Sequence, residues 1–301
     1  MSDVQPLPSL SFVPERVPVP PDACGACGFR PQELEPLCPT CGAQLTAPNV
    51  ATASRAVEQE ALVERVERAL AGRSAAAAGK VLAFGESVRK SRAVVNVSVR
   101  QAIDFVEKDS VLYATYAELV GAGARRPAPD GDDTRRRSVE AMLFGSYAEK
   151  MHYGALSLGG PGLVSYGAVT LVLHDVAVAR RATVLEENSF TFIERHKLRP
   201  GQTIPAGYRS AWPTRHQLAM AKCAPRIDET TAEPQHASLL MTPGPDRSTD
   251  EFIEVYIFGP FGRGAIDRLV LPARSVPGAT ACELRMLKSK AKRRGIPVEE
   301  A

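Results

Sequence analysis

The chain has 301 residues with 44% hydrophobic and 24% charged side chains, enough for one large domain or a medium domain plus a small module. Lys plus Arg is 37 against 34 for Asp plus Glu, which excludes a globally supercharged nucleic-acid binder though not a local basic patch. No apolar run approaches the roughly eighteen residues of a membrane span. The opening Met1-Ser2-Asp3-Val4-Gln5-Pro6 lacks a basic region followed by an apolar run, so the expected location is cytoplasmic, with no membrane partner.

Residues 1–21 hold six prolines and read as an extended or disordered leader. Residues 22–44 form the next unit. Four of the six cysteines lie here within eighteen residues, Cys24, Cys27, Cys38 and Cys41, in the pattern C-x2-C-x10-C-x2-C. Two intervening residues let both sulfurs of a pair face one point, and the Gly after each pair supplies the positive φ such a knuckle needs. Two knuckles give the four thiolates that a structural zinc site prefers, with iron the main competing ion. The residues resemble a zinc ribbon or rubredoxin-like knuckle module. Cys223 and Cys282 lie far away and read as ordinary buried thiols.

A helix is predicted from about Thr52 to Arg73, where Val57, Ala61, Leu62, Val66, Ala69 and Leu70 recur at helical spacing. Ser74 to Gly79 reads as a linker, and residues 80–301 as an α+β domain. Within it, Val94–Val99 reads as a strand and Gln101–Val106 as a helix. Val111–Tyr116 reads as a strand or a helix start. Residues 124–137 read as a charged surface loop, and 138–152 as a helix. Further strands are expected at Ala168–Leu173, Ala182–Leu185, Ser189–Ile193, Glu251–Gly259 and Arg268–Pro272, with a long loop over 226–250. A basic helix from Ala279 to Arg294 closes the chain. The expected class is α+β: a four-Cys zinc module, a helix, and a mixed or antiparallel sheet domain.

Chemistry is sparser in this domain. There is no phosphate loop of the G-x-x-x-x-G-K-[ST] type, no G-x-S-x-G elbow and no H-E-x-x-H. A polar segment, Glu186-Glu187-Asn188-Ser189, sits between two apolar runs and is a candidate to line a cleft. Glu254 interrupts an apolar strand, where an acid is costly unless exposed or used. Strand alternation also fits a Glu254 that shares a water-facing side with Tyr256. Six cations between Arg285 and Arg294 read either as a phosphate-contacting patch or as a solvated helix end.

The order Tyr153-Gly154-Ala155-Leu156, Tyr166-Gly167 with an apolar strand, Arg181-Ala182-Thr183, a polar segment ending in Ser189, then Ile253-Glu254-Val255 resembles an uncharacterised bacterial family. That family is similar in turn to ADP-ribosyltransferase-like toxins. The resemblance covers roughly residues 110–275. It implies a split, strand-rich NAD-binding cleft in a transferase or NAD glycohydrolase. Glu254 would hold the ribose and steady the oxocarbenium-like centre, with Ser189 bonding nearby. Tyr153 or Tyr166 would stack on nicotinamide beside Asn188. The Arg or His that such proteins carry on the first strand is Ala114 here, so either Arg100 or Arg181 substitutes, or the residues align differently, or the site is inactive for this chemistry. The alternative expectation is a non-enzymatic zinc-ribbon protein that engages nucleic acid or a protein partner through the zinc module or the basic helix.

Overall fold

The computed structural model describes residues 11–20, 23–24, 26–30, 37–43, 45–109, 111–115, 118, 120, 130–272 and 279–301. In chain order the helices are α1 (Pro48–Ala53), α2 (Ala56–Leu70), α3 (Ala75–Arg89), α4 (Val99–Glu107), α5 (Asp130–Phe144), α6 (Asp175–Val178), α7 (Ser189–Arg195), α8 (Arg215–Cys223), α9 (His236–Leu240) and α10 (Ala281–Arg293). The strands are β1 (Arg92–Val97), β2 (Met151–Ser157), β3 (Val169–Leu173), β4 (Ala182–Leu185), β5 (Arg209–Ala211), β6 (Glu254–Phe258), β7 (Ile266–Leu271) and β8 (Val298–Glu300). All eight form one sheet in the order β5-β4-β6-β2-β1-β3-β7-β8. Every pairing is antiparallel except β7 with β8, so the sheet is mixed and the class is α+β.

Alternate residues of the strands go to opposite faces. One face, including Ala93, Val95, Leu171, Val184, Val255 and Ile257, packs in a large core with Leu62 of α2, Phe84 of α3, Phe105 of α4, Leu218 of α8 and Leu287 of α10. The other face is divided. Met151, Leu185, Tyr256 and Phe258 pack with α5 and α7, while Val94, Ala155, Val172 and Val270 pack with Leu163, Met241 and Phe252. Between those two clusters a cleft opens on the sheet.

β1 and β2 are hydrogen-bonded neighbours over only three pairs, Arg92 with Ser157, Ala93 with Leu156 and Val94 with Ala155. The ladder stops at Gly154. A Cβ there would lie 2.6 Å from the Val94 carbonyl oxygen, so only glycine lets β2 pass so close to β1 before the two separate.

Several local expectations change. The leader, as far as it is described, is extended but docked. Gln59 accepts from the Val17 N–H at 2.8 Å and donates to the Val17 carbonyl at 2.9 Å, and Gln217 donates to the Glu15 carbonyl at 2.6 Å. Ser74–Gly79 is the opening of α3: the Ser74 hydroxyl caps the Ala77 N–H, and an alanine run is the best helix former. Residues 130–137 belong to α5, while 124–129 lie outside the described residues. Ser189–Ile193 is helical, because Asn188 accepts from the Phe190 and Thr191 N–H groups and starts a helix that β-prone side chains would not predict. The region 226–250 contains α9. β2, the central partner of β1 and β6, lies where no strand was expected. All of β6 is buried, so Glu254 and Tyr256 do not face water.

Candidate functional site

The four N-terminal cysteines converge. Their sulfurs all lie within 4.8 Å of one another, with Cys24 and Cys41 at 3.7 Å and Cys27 and Cys38 at 3.5 Å. Four sulfurs arranged tetrahedrally about 2.3 Å from a zinc ion lie roughly 3.8 Å apart, so the donor set and its spacing suit that ion. The two halves are built alike. Gly28 donates its N–H to the Cys24 carbonyl and Gly42 to the Cys38 carbonyl, each at 2.8 Å. Both glycines sit in the left-handed region, at φ 74° and 71°. Backbone N–H groups of Ala26 and then Cys27 hold the Cys24 thiol below its usual pKa, whereas the neighbouring thiols, Cys41 foremost, push Cys27 up to about 12. Four thiolates would leave a tetrahedral ion no open position, the arrangement that structural zinc sites use.

The second site is a cleft of about 1080 Å³ on the divided face of the sheet, at the point where β1 and β2 separate. Val95, Asn96 and Val97 border it from β1, and Tyr153 and Gly154 from β2. Glu254 of β6, Asn188 and Ser189 at the start of α7, and Tyr166 complete the part that carries polar chemistry. Five residues named from the sequence, Glu254, Ser189, Tyr153, Tyr166 and Asn188, thus line one cavity.

Each is held from a different element. Asn96 fixes the loop that carries Tyr166: it donates to the Gly167 carbonyl at 2.9 Å and to Thr170 Oγ1 at 3.0 Å, and accepts from the Leu163 N–H at 2.9 Å. Asn188 reaches the Tyr166 hydroxyl at 3.5 Å. Tyr153 and Tyr256 pair across β2 and β6 and pack edge to face at 5.5 Å. Glu254 is 6% exposed. Its Oε2 accepts from the Ser189 N–H at 2.8 Å and from the Tyr256 hydroxyl at 2.9 Å. Burial pushes its pKa up to about 7, against the pull of those two donors. The result is an acid that changes protonation state near neutral pH on the floor of a cleft, a pattern associated with acid–base or charge-stabilising work.

The remaining candidates lie elsewhere. Arg181 is not among the cleft residues. Its guanidinium donates to the carbonyls of Ala177, Phe258, Gly259 and Pro260, at 2.7 to 3.1 Å, and ties the end of β6 to α6. Arg100 is in the first turn of α4 and does not border the cleft. Ala114 does border it, but in a segment whose pairing is the single Tyr113–Phe261 contact; the first strand of the sheet is β1. Three cations of the basic helix meet acids: Lys288 pairs with Glu300, Lys290 with Glu107 at 2.5 Å, and Arg294 with Asp109 at 3.8 Å. Glu186, Glu187 and His196 also approach one another, but Arg65 and Arg195 already pair with the two carboxylates.

Sequence reasoning missed Asn96 and Arg247, and it placed Arg135 and Arg136 in a charged surface loop whose arginines could touch phosphate; all four border the cleft. Asn96 was legible as the one polar side chain in an otherwise apolar strand interior. Nothing local marks Arg247. No helix is long and apolar enough to cross a membrane among the described residues. Compared with protein-family models the chain matches none, and compared with curated proteins it again matches none.

Proposed function

We propose that the cleft binds NAD and that Glu254 promotes cleavage of the bond between the ribose and nicotinamide. The bond from the ribose anomeric carbon to the nicotinamide nitrogen breaks, and its electron pair leaves with nicotinamide. The anomeric carbon takes on oxocarbenium-like charge. Water or an acceptor nucleophile then bonds to it and gives up a proton, so NAD and water yield nicotinamide, ADP-ribose and a proton. A carboxylate beside the ribose offsets the developing positive charge. Tyr153 and Tyr166 supply ring faces for the departing base, and Asn188 a polar edge. The carrying observation is the buried carboxyl of Glu254, fixed by the Ser189 N–H and the Tyr256 hydroxyl on the floor of a cleft lined by both tyrosines.

Zinc in the four-Cys module supplies folding energy to that segment and takes no part in the reaction. In this reading the module docks a protein or nucleic-acid target. Its Phe29 and Leu37 are exposed large apolar side chains, as a docking surface requires.

The test is nicotinamide release from NAD by the wild type and by Glu254→Gln. The amide keeps the shape and loses the charge, so the expected loss is about 10²–10³-fold in rate with the melting temperature nearly unchanged. Equal rates in the two proteins, or none in either with water and candidate acceptors, overturn the proposal.

A further inference from the structure

The charges around the cleft are almost fully matched. Arg135 pairs with Glu194, and Arg136 with Glu140 at 2.7 Å, all four being cleft residues. Asp104 pairs with Lys108 at 3.3 Å. Arg247 differs. Its Nε donates to the Ser165 carbonyl at 2.9 Å, and its guanidinium lies over the Tyr166 ring at 4.8 Å from the centroid. Its two terminal nitrogens meet no carboxylate among the described residues.

The segment that presents Arg247 is built for precision. Thr242 and Glu251 exchange backbone hydrogen bonds at 2.7 and 3.0 Å and close the loop at its base. Asp250 accepts from the Gly244 N–H at 2.8 Å and from the Ser165 hydroxyl at 2.5 Å, tying the loop to the Tyr166 segment. Asp246 accepts from the Ser248 N–H at 2.9 Å and turns the tip. Arg247 is therefore held at both its backbone and its Nε, with the outer fork of the guanidinium open beside the cleft. A planar fork with two donors at fixed spacing matches two oxygens of a phosphoryl group.

We propose that Arg247 is a phosphoryl-binding residue of the cleft and selects ligands that carry a diphosphate over their uncharged nucleoside counterparts. The proposal rests on the NAD reading for the identity of the ligand, but not for the site itself.

The experiment measures ADP-ribose and adenosine binding by calorimetry to the wild type, Arg247→Gln and Arg247→Lys. ADP-ribose is expected to bind the wild type, about tenfold or more weakly to the Gln variant, and to an intermediate degree to the Lys variant, which keeps the charge without the fork. Adenosine affinity should not change among the three, and the wild-type affinity for ADP-ribose should fall with added salt more steeply than that of the Gln variant. The side chain is exposed, so equal melting temperatures are expected and serve as the folding control. Equal ADP-ribose affinity in the wild type and the Gln variant, or no binding to the wild type, overturns the proposal. Arg247-dependent binding in a protein that releases no nicotinamide upholds the phosphoryl site and removes the hydrolysis reading instead.

Discussion

The two candidate sites are assembled in opposite ways. The four-Cys site draws on eighteen residues of chain, and two nearly identical turns set its geometry. The cleft draws on β1, β2, the Tyr166 segment, α7, the Arg247 loop and β6, residues from Val94 to Glu254. A site of the first kind depends on local backbone geometry and on an ion. A site of the second kind depends on the sheet register and on how far two strands separate. Damage to the first should stay local, and damage to the second should follow the packing of the sheet.

The largest separation between them comes from Cys24→Ser. Three sulfurs hold zinc far less well than four, so elemental analysis should drop from about one zinc per chain to near none. Residues around the knuckles should lose protection in hydrogen exchange, while the melting of the sheet domain shifts by less than about 1 kcal/mol. Loss of the whole fold would contradict the separation. Gly154→Ala is the converse change. The new Cβ meets the Val94 carbonyl oxygen, which belongs to backbone and cannot turn aside. A cost of about 1–3 kcal/mol in denaturant unfolding is expected, with nicotinamide release impaired and zinc content untouched. An unaffected stability would mean that β1 and β2 can move apart freely there.

A third test concerns acid. His152 and His216 are buried, 2% and 3% exposed, and burial pushes the pKa of each down to about 4. Both nitrogens of His152 lack a hydrogen-bond partner among the described residues. Unfolded histidine takes up its proton near pH 6.5, so below that value the unfolded chain binds protons that the native chain refuses. Stability should therefore fall as pH drops from about 6.5 to 4, by at most roughly 1.4 kcal/mol per pH unit for each histidine. Glu254 opposes this in part, because its raised pKa makes the fold gain stability as pH falls from about 7 to 4.5. His152→Phe should flatten the acid limb of the stability curve; an unchanged limb would place the titration elsewhere.

What could be read in advance follows the same division. The cysteine spacing is itself the geometry, so all four metal-site residues were legible. Glu254 was legible as an acid in an apolar run, but its direction was not: the alternation of Ile253, Val255 and Ile257 with Glu254, Tyr256 and Phe258 fits a half-exposed strand equally well. Only the packing of α5 and α7 on that side buries it. Ser189 was picked as a side chain, and its backbone N–H is the donor that the Glu254 carboxyl receives. Asn188 ended the expected strand by starting a helix, a capping effect that outweighs the β-preference of Phe190, Thr191 and Ile193. β2 was hidden because Gly154, the residue that its close approach to β1 requires, is a poor strand former. Arg247 carries no local signature, since its significance lies in which other cleft cations are already paired.

The most direct test of the central claim is the pH dependence of nicotinamide release from NAD in single turnover. Glu254 must be ionised to stabilise positive charge at the ribose, and its pKa stands at about 7. The rate should rise with pH to half its plateau near pH 7 in the wild type, and this limb should vanish in Glu254→Gln along with most of the activity. A rate independent of pH between about 5.5 and 8.5, or a profile unchanged by the substitution, would show that Glu254 does not carry the reaction.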